Sequence, residues 1–425
     1  MWYNFLPAAI QYLIASHVLS EPDVQSNSLI FSPRHHFGLS GTRPVFSDIK
    51  PSSQFTTEPF PVNTRTLRTY KARSQDAFFS ARFRGGGQNT LRWDESETTG
   101  PDIEDRSTLQ QLAKMSNNAY GNPGDADWYD LGPEFNTTYP FGWEPDEDGF
   151  RGQIFVSEDN STVIMSIKGT SAGWIVGGGG PTTRKDKLND NLLFSCCCAR
   201  VGPTWRPVCG CYEGGYKCDQ GCLEQSLVDD SLFYSVGTNL YYNVSYLYPN
   251  ANIWLTGHSL GGSLASLLGI TFGVPVVAFE APAEKLAAQR LHLPLPLSTE
   301  HITHVYHTAD PIPMGTCTGV SSSCAIGGYA LETRCHLGNV IKYDTVTKLG
   351  WSVDVRTHGI AVIVERLLSE DWDTDEGTEE TGGRKRTVPE PKEETDCVDC
   401  FNWEFGDYRN VSAKGECSSR PLYSP

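Results

Sequence analysis

A single serine stands between glycines at the junction of two apolar segments, in IWLTGHSLGGSLASLLG at residues 253–269. Gly257, Ser259 and Gly261 form a G-x-S-x-G pattern. Between a strand and a helix, this pattern is typical of a sharp turn that exposes a nucleophilic serine. The apolar run before the serine predicts a buried strand, and the leucines after it recur at helical spacing. The pattern therefore indicates covalent catalysis by Ser259, in the form of acyl transfer.

A serine nucleophile needs a base, and the base needs an acid that holds its tautomer. In α/β sheets with such a turn, the acid and then the histidine follow the serine along the chain. Asp310 ends a predicted strand in HTADPIP, and His358 precedes the last predicted helix in RTHGI. We therefore expect Asp310 to be the acid and His358 the base. Asp354 is the reserve acid, and His336, beside Cys335, is the alternative base but is interpreted as structural.

Acyl transfer also needs two backbone N–H groups that hold the oxyanion. Leu260, the residue after the nucleophile, is expected to supply one of them. The second is expected from Thr170 in IMSIKGTSAG, where Gly169 lets the chain turn at the end of a strand. The Thr170 hydroxyl is a candidate for an additional donor.

The elements that must position these residues alternate between strands and helices. A hairpin followed by a buried strand is predicted over residues 152–170. Helices are predicted over residues 107–120, with Ser107 as the cap, and over residues 226–247. Further strands, PVVAFEAPA and HITHVYHTADPIP, and a closing helix, GIAVIVERLLS, follow the serine. The alternation predicts an α/β-hydrolase fold with a doubly wound, mainly parallel sheet.

Four motifs together, KGTSAG, TGHSLGG, HTADPIP and RTHGI, resemble the class 3, or fungal triacylglycerol, lipase family. The RHHFGLSG and NNAY segments, a cysteine-rich insert and CVDC after an acidic stretch resemble, more narrowly, the autophagy-related vacuolar lipases of fungi. The resemblance covers most of residues 30–410. It implies an ester lipase that acts on phospholipids, with phosphatidylserine as an expected substrate, and on triacylglycerols. The expected mechanism needs no metal and no cofactor.

The resemblance also implies a place and a partner. Members of this family disintegrate autophagic bodies and multivesicular-body vesicles in the vacuole, so lipid membranes are the expected partner and no obligate protein partner is inferred. They begin with a type II membrane anchor that routes them through the endoplasmic reticulum, the Golgi and multivesicular bodies. Residues 5–20 are apolar but interrupted by polar side chains, which makes a poor anchor. An anchor, a cleaved signal, an amphipathic helix and a misassigned start remain open readings of this segment.

A lid follows the oxyanion strand in class 3 lipases. The corresponding stretch here, residues 171–222, contains WIVGGGG followed by seven cysteines. Trp174, Ile175 and Val176 are therefore expected to form a lid or a lipid-entering lip, hinged by the glycines. The alternative is a strand packed in the core.

Thirteen cysteines are a high number for a cytosolic enzyme. They fall into three groups, at residues 196–222, 317–335 and 397–417. Their paired spacing predicts disulfides, and zinc bound by closely spaced thiolates is the alternative. The odd total leaves at least one thiol free or paired between chains.

Charge and sequons bear on the compartment. The net charge of −17 argues against nucleic acid as a partner and against adhesion to anionic membranes by charge alone. N-x-S/T sequons, which are glycosylated only in the secretory pathway, occur at Asn136, Asn160, Asn243 and Asn410. Together with the cysteines they predict a lumenal protein.

Composition divides the chain into a weak apolar segment, an extended arm with short strands, a lipase domain, an acidic disordered linker and a short Cys-bearing, aromatic segment expected to fold back through disulfides. Their boundaries are 1–22, 23–95, 96–369, 370–396 and 397–425.

Two other functions share parts of this pattern. A serine esterase for small soluble esters would have the same catalytic residues without a lipid-entry lid. A lumenal binding protein would keep the fold without the activity.

Overall fold

The computed structural model describes most of the chain. The described residues are 28–40, 43–48, 61–83, 91–121, 150–171, 183–202, 205–230, 232–372 and 387–409. Several predictions of the sequence lie outside these ranges, namely those for residues 1–22, Asn136, the lid residues Trp174, Ile175 and Val176, Asn410 and Cys417. Within the described ranges, no helix combines the length and the apolar character that crossing a bilayer requires.

The described residues form fourteen strands, eleven in one large sheet and three in a small one. The strands are β1 Ser28–Ser40, β2 Arg43–Asp48, β3 Pro61–Ala72, β4 Trp93–Pro101, β5 Gly152–Ser157, β6 Thr162–Ile167, β7 Tyr212–Gly214, β8 Lys217–Asp219, β9 Asn252–His258, β10 Val276–Phe279, β11 Ile302–His307, β12 Asn339–Tyr343, β13 Lys392–Glu393 and β14 Glu404–Gly406.

The large sheet has a parallel centre. Its order is β13-β12-β11-β10-β9-β6-β5-β1-β3-β4, with β2 paired to β1. The five strands from β12 to β6 are parallel, and the strands on both sides of them pair antiparallel. The carboxyl ends of β6, β9, β10 and β11 therefore meet at one edge, where open α/β sheets bind ligands.

Ten α-helical segments accompany the strands in the described part of the chain. They are α1 Gln75–Phe83, α2 Arg106–Asn118, α3 Thr183–Phe194, α4 Gln220–Asp230, α5 Leu232–Leu247, α6 Leu260–Phe272, α7 Lys285–Arg290, α8 Ser323–Gly327, α9 Thr345–Leu349 and α10 Ile360–Val362. A 3₁₀ turn spans Val355–His358 and a π turn spans Ile363–Leu367.

Helices cover both faces of the sheet. Leu255 of β9 packs in one apolar cluster with Leu264 of α6, and its neighbour Trp254 packs in the other with Leu112 of α2. Successive residues of a strand point to opposite faces, so the two clusters are the two faces of one sheet. A fully buried leucine contributes roughly 1.5–3 kcal/mol. The predicted α/β-hydrolase fold with a doubly wound sheet is confirmed.

The arm expected over residues 23–95, with short strands packed on the main domain, contributes strands to the main sheet itself. β1, from the predicted arm, lies inside the large sheet between β5 and β3, and Phe31 pairs with Ser157. Phe31 and Phe37 are buried in the two core clusters. The arm's partners lie far along the chain, so no local periodicity marked it as part of the sheet.

The end of the predicted linker is ordered instead of disordered. Val388 is fully buried, and β13 pairs antiparallel with β12. One apolar side chain and one short strand pairing hold this stretch in place. In the sequence, these few residues give no recognisable strand or core pattern within an acidic segment.

One helix prediction needs correction. Ser107 is not the cap of α2, because the helix begins at Arg106 and Asp105 accepts the hydrogen bond from the Thr108 N–H. The helix predicted over residues 226–247 is covered by α4 and α5 except for residue 231, which lies outside the described residues.

Six disulfides join the twelve cysteines of the described residues, as the spacing predicted. The pairs are Cys196–Cys400, Cys197–Cys218, Cys198–Cys209, Cys211–Cys222, Cys317–Cys324 and Cys335–Cys397. The closely spaced sulfurs considered as zinc ligands are used in these bonds. Two of the pairs tie the C-terminal segment to distant parts of the chain.

An ion pair holds the end of the predicted linker, which directly precedes the C-terminal segment. His336 Nδ1 lies 3.0 Å from Glu394 Oε2, and His336 Nε2 lies 3.1 Å from the Ala281 carbonyl oxygen. Both partners are acceptors, so the ring donates twice and is an imidazolium. Burial disfavours this charge, but the hydrogen bond to Glu394 and its charge outweigh burial and raise the pKa of His336. Burial likewise opposes charge on Glu394, yet His336 lowers its pKa to about 2.

Glu394→Gln is expected to destabilise the protein chiefly at mildly acidic pH. The raised pKa of His336 gives stability that is complete below its ordinary value of 6.5 and is lost as pH rises. The lowered pKa of Glu394 gives stability that is complete above its ordinary value of 4.5 and is lost as pH falls towards 2. Removing a hydrogen bond to a charged group costs about 1.5–3 kcal/mol. Thermal unfolding of the oxidised wild type and variant at pH 5.5 and pH 9 would measure the loss of stability.

Glu393→Gln is the matched control, because Glu393 is the exposed neighbour in β13. Equal loss of stability in the two variants, or a loss that is larger at pH 9, would contradict this account of the ion pair.

Candidate active site

Ser259 occupies a strained turn that only its glycine neighbours permit. Its φ of 56° and ψ of −132° lie outside the regions that side chains favour. A Cβ on Gly257 would lie 2.5 Å from the Gly261 backbone, and a Cβ on Gly261 would lie 2.2 Å from the Ile167 carbonyl oxygen. Both glycines are therefore required by close backbone packing between β9, α6 and the end of β6.

Three predicted residues form one hydrogen-bonded chain. His358 Nε2 lies 2.9 Å from Ser259 Oγ, and His358 Nδ1 lies 2.6 Å from Asp310 Oδ2. Asp310 accepts at Nδ1, so Nδ1 carries the proton and Nε2 is free to accept from the serine hydroxyl. All three side chains are buried.

The Asp310 carboxylate is held as an anion. Burial alone would raise its pKa, but the charge of His358 and its hydrogen bond outweigh burial and lower the pKa. The other carboxylate oxygen accepts from the Ile312 N–H at 2.9 Å. Asp310 can therefore orient His358 and stabilise the imidazolium that forms during catalysis.

The reserve candidates have other positions. Asp354 caps the 3₁₀ turn and accepts from the Arg356 N–H at 2.8 Å, and its pKa is lowered by that arginine. The turn itself is fastened to the Asp310 loop, because the Asp354 N–H and the Thr357 hydroxyl both donate to the Ala309 carbonyl oxygen. His336 belongs to the ion pair with Glu394.

The histidine beside the nucleophile supports the base through its backbone. His258 Nε2 lies 2.8 Å from the His358 carbonyl oxygen, and its Nδ1 lies 2.7 Å from the Tyr120 hydroxyl. Burial, followed by the nearby His358, lowers the pKa of His258 to about 3, so its ring is neutral. Its Nε2–H therefore donates to the carbonyl, and its Nδ1 accepts from Tyr120.

The predicted oxyanion residues lie beside the serine. Leu260 is the first residue of α6, and Thr170 follows β6 in a buried loop. A Cβ on Gly169 would lie 2.3 Å from the His258 carbonyl oxygen and 3.1 Å from Ser259 Cβ. Only a glycine allows the loop to approach the nucleophile this closely.

Helix α3 clamps this loop with two buried aspartates. Thr170 Oγ1 donates to Asp190 Oδ2 at 2.5 Å, and Asp186 Oδ2 accepts from the Ser171 N–H at 2.9 Å. Lys168 Nζ lies 3.1 Å from the same Asp186 oxygen. Burial raises the pKa of Asp190 to about 8, although the Thr170 hydroxyl opposes the shift. The Thr170 hydroxyl, predicted as a candidate oxyanion donor, is thus engaged by Asp190.

Sequence reasoning missed this clamp. One signal was present, because Asp186 and Asp190 are four residues apart and so share one face of a helix. The apolar residues Leu192 and Leu193 follow Asp190 in the same helix. They could have indicated that the helix is buried.

Known proteins resemble this chain in sequence. The family model described as lipase (class 3) matches residues 206–318. A protein named "Putative lipase ATG15" from Cryptococcus neoformans var. neoformans is 50% identical over 370 residues, which cover 74% of this chain and 70% of that protein. A protein of the same name from Mycosarcoma maydis is 43% identical over 399 residues, which cover 81% of this chain and 76% of that protein.

Solved structures share less of the chain. Lip2 lipase from Yarrowia lipolytica is 17% identical with a TM-score of 0.31, covering 57% of this chain and 80% of that one. A triacylglycerol lipase from Penicillium expansum is 17% identical with a TM-score of 0.30, and the match covers 56% of this chain and 81% of that one. These scores are too low to support the fold, which rests on the strand order and the packing of both faces. The identity to the two fungal relatives over most of their length, by contrast, is decisive: the chain belongs to the class 3 lipase family.

Proposed function

We propose that this protein is a serine lipase that hydrolyses fatty-acyl esters of phospholipids, phosphatidylserine among them, and of triacylglycerols. The observation that carries the proposal is the hydrogen-bonded chain from Asp310 through His358 to Ser259. It lies at a strained turn next to the loop that contains Thr170.

The mechanism follows from the positions of the protons. His358 Nε2 takes the proton of Ser259 Oγ as that oxygen attacks the ester carbonyl. The N–H groups of Thr170 and Leu260 stabilise the oxyanion. The intermediate collapses, and the alcohol leaves with the proton from His358. Water then gives a proton to His358 and attacks the acyl-enzyme, which releases the fatty acid and restores the serine hydroxyl.

An uncharged loop beside the site favours lipid over a small soluble ester as substrate. Residues 311–331, which follow Asp310 directly, contain no Asp, Glu, Lys or Arg. With 20% charged residues in the chain, 21 residues would hold about four. Within this loop Val320 is 67% exposed and Ile326 is 77% exposed. Two exposed apolar side chains on a segment that itself contains no charged residue suit contact with an apolar surface.

The loop is fastened to the catalytic machinery. The Cys317 N–H donates to the Pro311 carbonyl oxygen at 3.1 Å, and Cys317 is disulfide-bonded to Cys324. Lys187 of α3, the helix that clamps the Thr170 loop, donates to the Gly327 carbonyl oxygen at 2.7 Å. Val320 and Ile326 therefore belong to a rim that is attached to the segment after Asp310 and to α3, and we propose that this rim contacts the lipid aggregate.

A lumenal place of action is part of the proposal. The six disulfides suit an oxidising compartment, and two sequon residues, Asn160 and Asn243, are exposed. We propose that the protein enters the secretory pathway through the endoplasmic reticulum and reaches the multivesicular-body membrane and the vacuole. There it would lyse autophagic and multivesicular-body vesicles, the role that the sequence resemblance to autophagy-related lipases implies.

Asp310→Asn should lower kcat for ester hydrolysis by roughly 10⁴, because an amide cannot hold the correct tautomer of His358. Ser259→Ala should remove on the order of 10⁶ in rate and all labelling by a fluorophosphonate. Hydrolysis of a soluble p-nitrophenyl ester and of phosphatidylserine vesicles would measure both effects.

Asp354→Asn is the matched control and should stay within a few-fold of the wild type. Equal losses for the two aspartate variants would remove Asp310 from its assigned role. A wild-type protein that neither hydrolyses these esters nor takes the label would be an inactive binding protein instead.

The double variant Val320→Glu/Ile326→Glu should lose at least tenfold in hydrolysis of vesicles or emulsified triolein and in binding to vesicles. Two carboxylates on the rim would have to be desolvated against lipid, which is unfavourable. Hydrolysis of the soluble p-nitrophenyl ester should be retained, because the catalytic residues are untouched.

Leu297→Glu provides the control. Leu297 is 89% exposed and precedes β11, at the sheet edge opposite the site. A double variant that acts on vesicles as well as Leu297→Glu does would exclude the rim as a lipid contact.

Expression of the full chain in a fungal host should yield a glycoprotein whose cysteines resist alkylation until they are reduced. Endoglycosidase treatment should increase its electrophoretic mobility, and Asn160→Gln/Asn243→Gln should remove part of that change. Thirteen reactive thiols and no glycan would place the chain in a reducing compartment and would end the vacuolar proposal, whatever its ester chemistry.

A further inference from the structure

Glu280 stands at the centre of the catalytic edge and has no assigned role. It directly follows β10, the strand between β9, which leads to Ser259, and β11, which leads to Asp310. Its side chain is fully buried, and its φ of 43° lies in the region that favours glycine. A strained backbone costs on the order of 1–3 kcal/mol, and burial of a carboxyl group adds to that cost.

The Glu280 carboxyl group contacts a second buried carboxyl group, that of the catalytic acid. Glu280 and Asp310 follow the neighbouring strands β10 and β11, which brings their side chains close enough for one carboxyl group to donate a hydrogen bond to the other. The His307 backbone N–H lies near the Glu280 carboxyl group, but within the part of the chain that the structure describes neither Glu280 oxygen accepts a well-formed hydrogen bond from an N–H or hydroxyl group. Two acceptor-only groups cannot form a hydrogen bond, so one carboxyl group of the pair carries a proton.

Among the described residues, no lysine or arginine forms an ion pair with Glu280. The nearest basic group is His307, whose Nε2 lies 3.6 Å from Glu280 Oε1 and donates to the Thr357 carbonyl oxygen at 3.2 Å. Burial lowers the pKa of His307, which favours a neutral ring. Tyr306, the other titratable neighbour, donates its hydroxyl to Glu394.

The shared proton belongs to Glu280. Asp310 faces His358 and the Ile312 N–H, which favour its charged form. Burial, followed by the charge of Asp310, raises the pKa of Glu280 well above its ordinary value. When two carboxyl groups are in contact, their pKa values move apart in this way: one group remains ionised while the other keeps its proton.

We propose that Glu280 is a positioning residue that donates its proton in a hydrogen bond to Asp310 and thereby keeps His358 competent as a base at acid pH. The inference rests on the proposed roles of Asp310 and His358. A hydrogen bond from Glu280 delocalises the negative charge of the Asp310 carboxylate. The carboxylate then stabilises the imidazolium of His358 less. The base therefore stays neutral to lower pH.

The other groups around the catalytic pair do not provide this effect. His258 faces His358 from β9 and is neutral, and Arg366 of the π turn packs on the Trp351 ring, which in turn packs on His307. Asp354 is paired with Arg356. Among the described residues, Glu280 is thus the titratable group in hydrogen-bond contact with Asp310 on the side away from His358.

The test compares Glu280→Met, which has no donor, with Glu280→Gln, whose amide N–H can still donate to Asp310. The readout is kcat/KM against pH on a soluble p-nitrophenyl ester, whose acid limb reports protonation of the free enzyme's base. Glu280→Met should move the acid limb upwards by roughly 0.5–1 pH unit, whereas Glu280→Gln should leave it within about 0.2 unit. Glu284→Gln alters another buried carboxylate, one bound to His304, and should not move the limb.

An unmoved acid limb in Glu280→Met, or an equal shift in both Glu280 variants, would overturn the proposal. A fall in kcat without a shift would indicate a structural role only. If Glu280→Met does not fold, infrared spectroscopy at neutral pH decides. The wild type should show protonated-carboxyl absorption in excess of that from Asp190, Glu280→Gln should lose that excess, and identical carboxyl bands in the two proteins would refute the inference. The infrared result does not depend on activity, so it separates this proposal from failure of the proposed lipase function.

Discussion

The catalytic edge depends on one steric constraint, the close approach of the backbone at Ser259 to the end of β6. The serine adopts a φ of 56°, and the chain can turn there only because Gly257 and Gly261 leave no Cβ in the way. The same contact brings Gly169 against the His258 carbonyl oxygen. Nucleophile and oxyanion loop are thus positioned by a single packing requirement, and strain at the serine is balanced by the buried sheet on both sides.

Around this contact the protein buries titratable groups, and several of them have a polar or charged partner. Asp310 faces His358, and Lys168 faces Asp186. Asp190 accepts the hydroxyl of Thr170. Buried groups of this kind contribute little net stability, but an unpaired one would be costly, so each pair permits a single arrangement of the loops. Precision of the site, more than stability of the fold, is what these groups provide.

Helix α3 joins the parts of the site that the sheet does not. Asp190 and Asp186 hold the oxyanion loop, and Lys187 and Asn191 hold the backbone of Gly327 and Gly328 in the uncharged rim. The cysteine group that begins at Cys196 follows the helix directly. Disulfides then attach the C-terminal segment to this framework, so that segments distant in sequence support one edge of the sheet.

The amino-acid sequence by itself determined the chemistry that could be read locally. Spacing, glycine placement and periodicity account for the turn at Ser259 and for the order of Asp310 and His358 after it. They also account for the α/β fold and the use of cysteines in disulfides. Each of these features depends on residues that are neighbours in the chain or on a fixed order of elements. Such features leave a pattern in a single sequence.

The tertiary structure alone decided what depends on distant partners. The inclusion of β1 in the sheet, the attachment of Val388, the clamp from Asp190 and the contact of Glu280 with Asp310 each join segments whose pairing no local pattern encodes. Glu280 illustrates the reason. In the sequence it is a charged residue after an apolar strand, which reads as a solvated strand end. Only the neighbouring strand brings the second carboxyl group that makes it a buried, protonated acid.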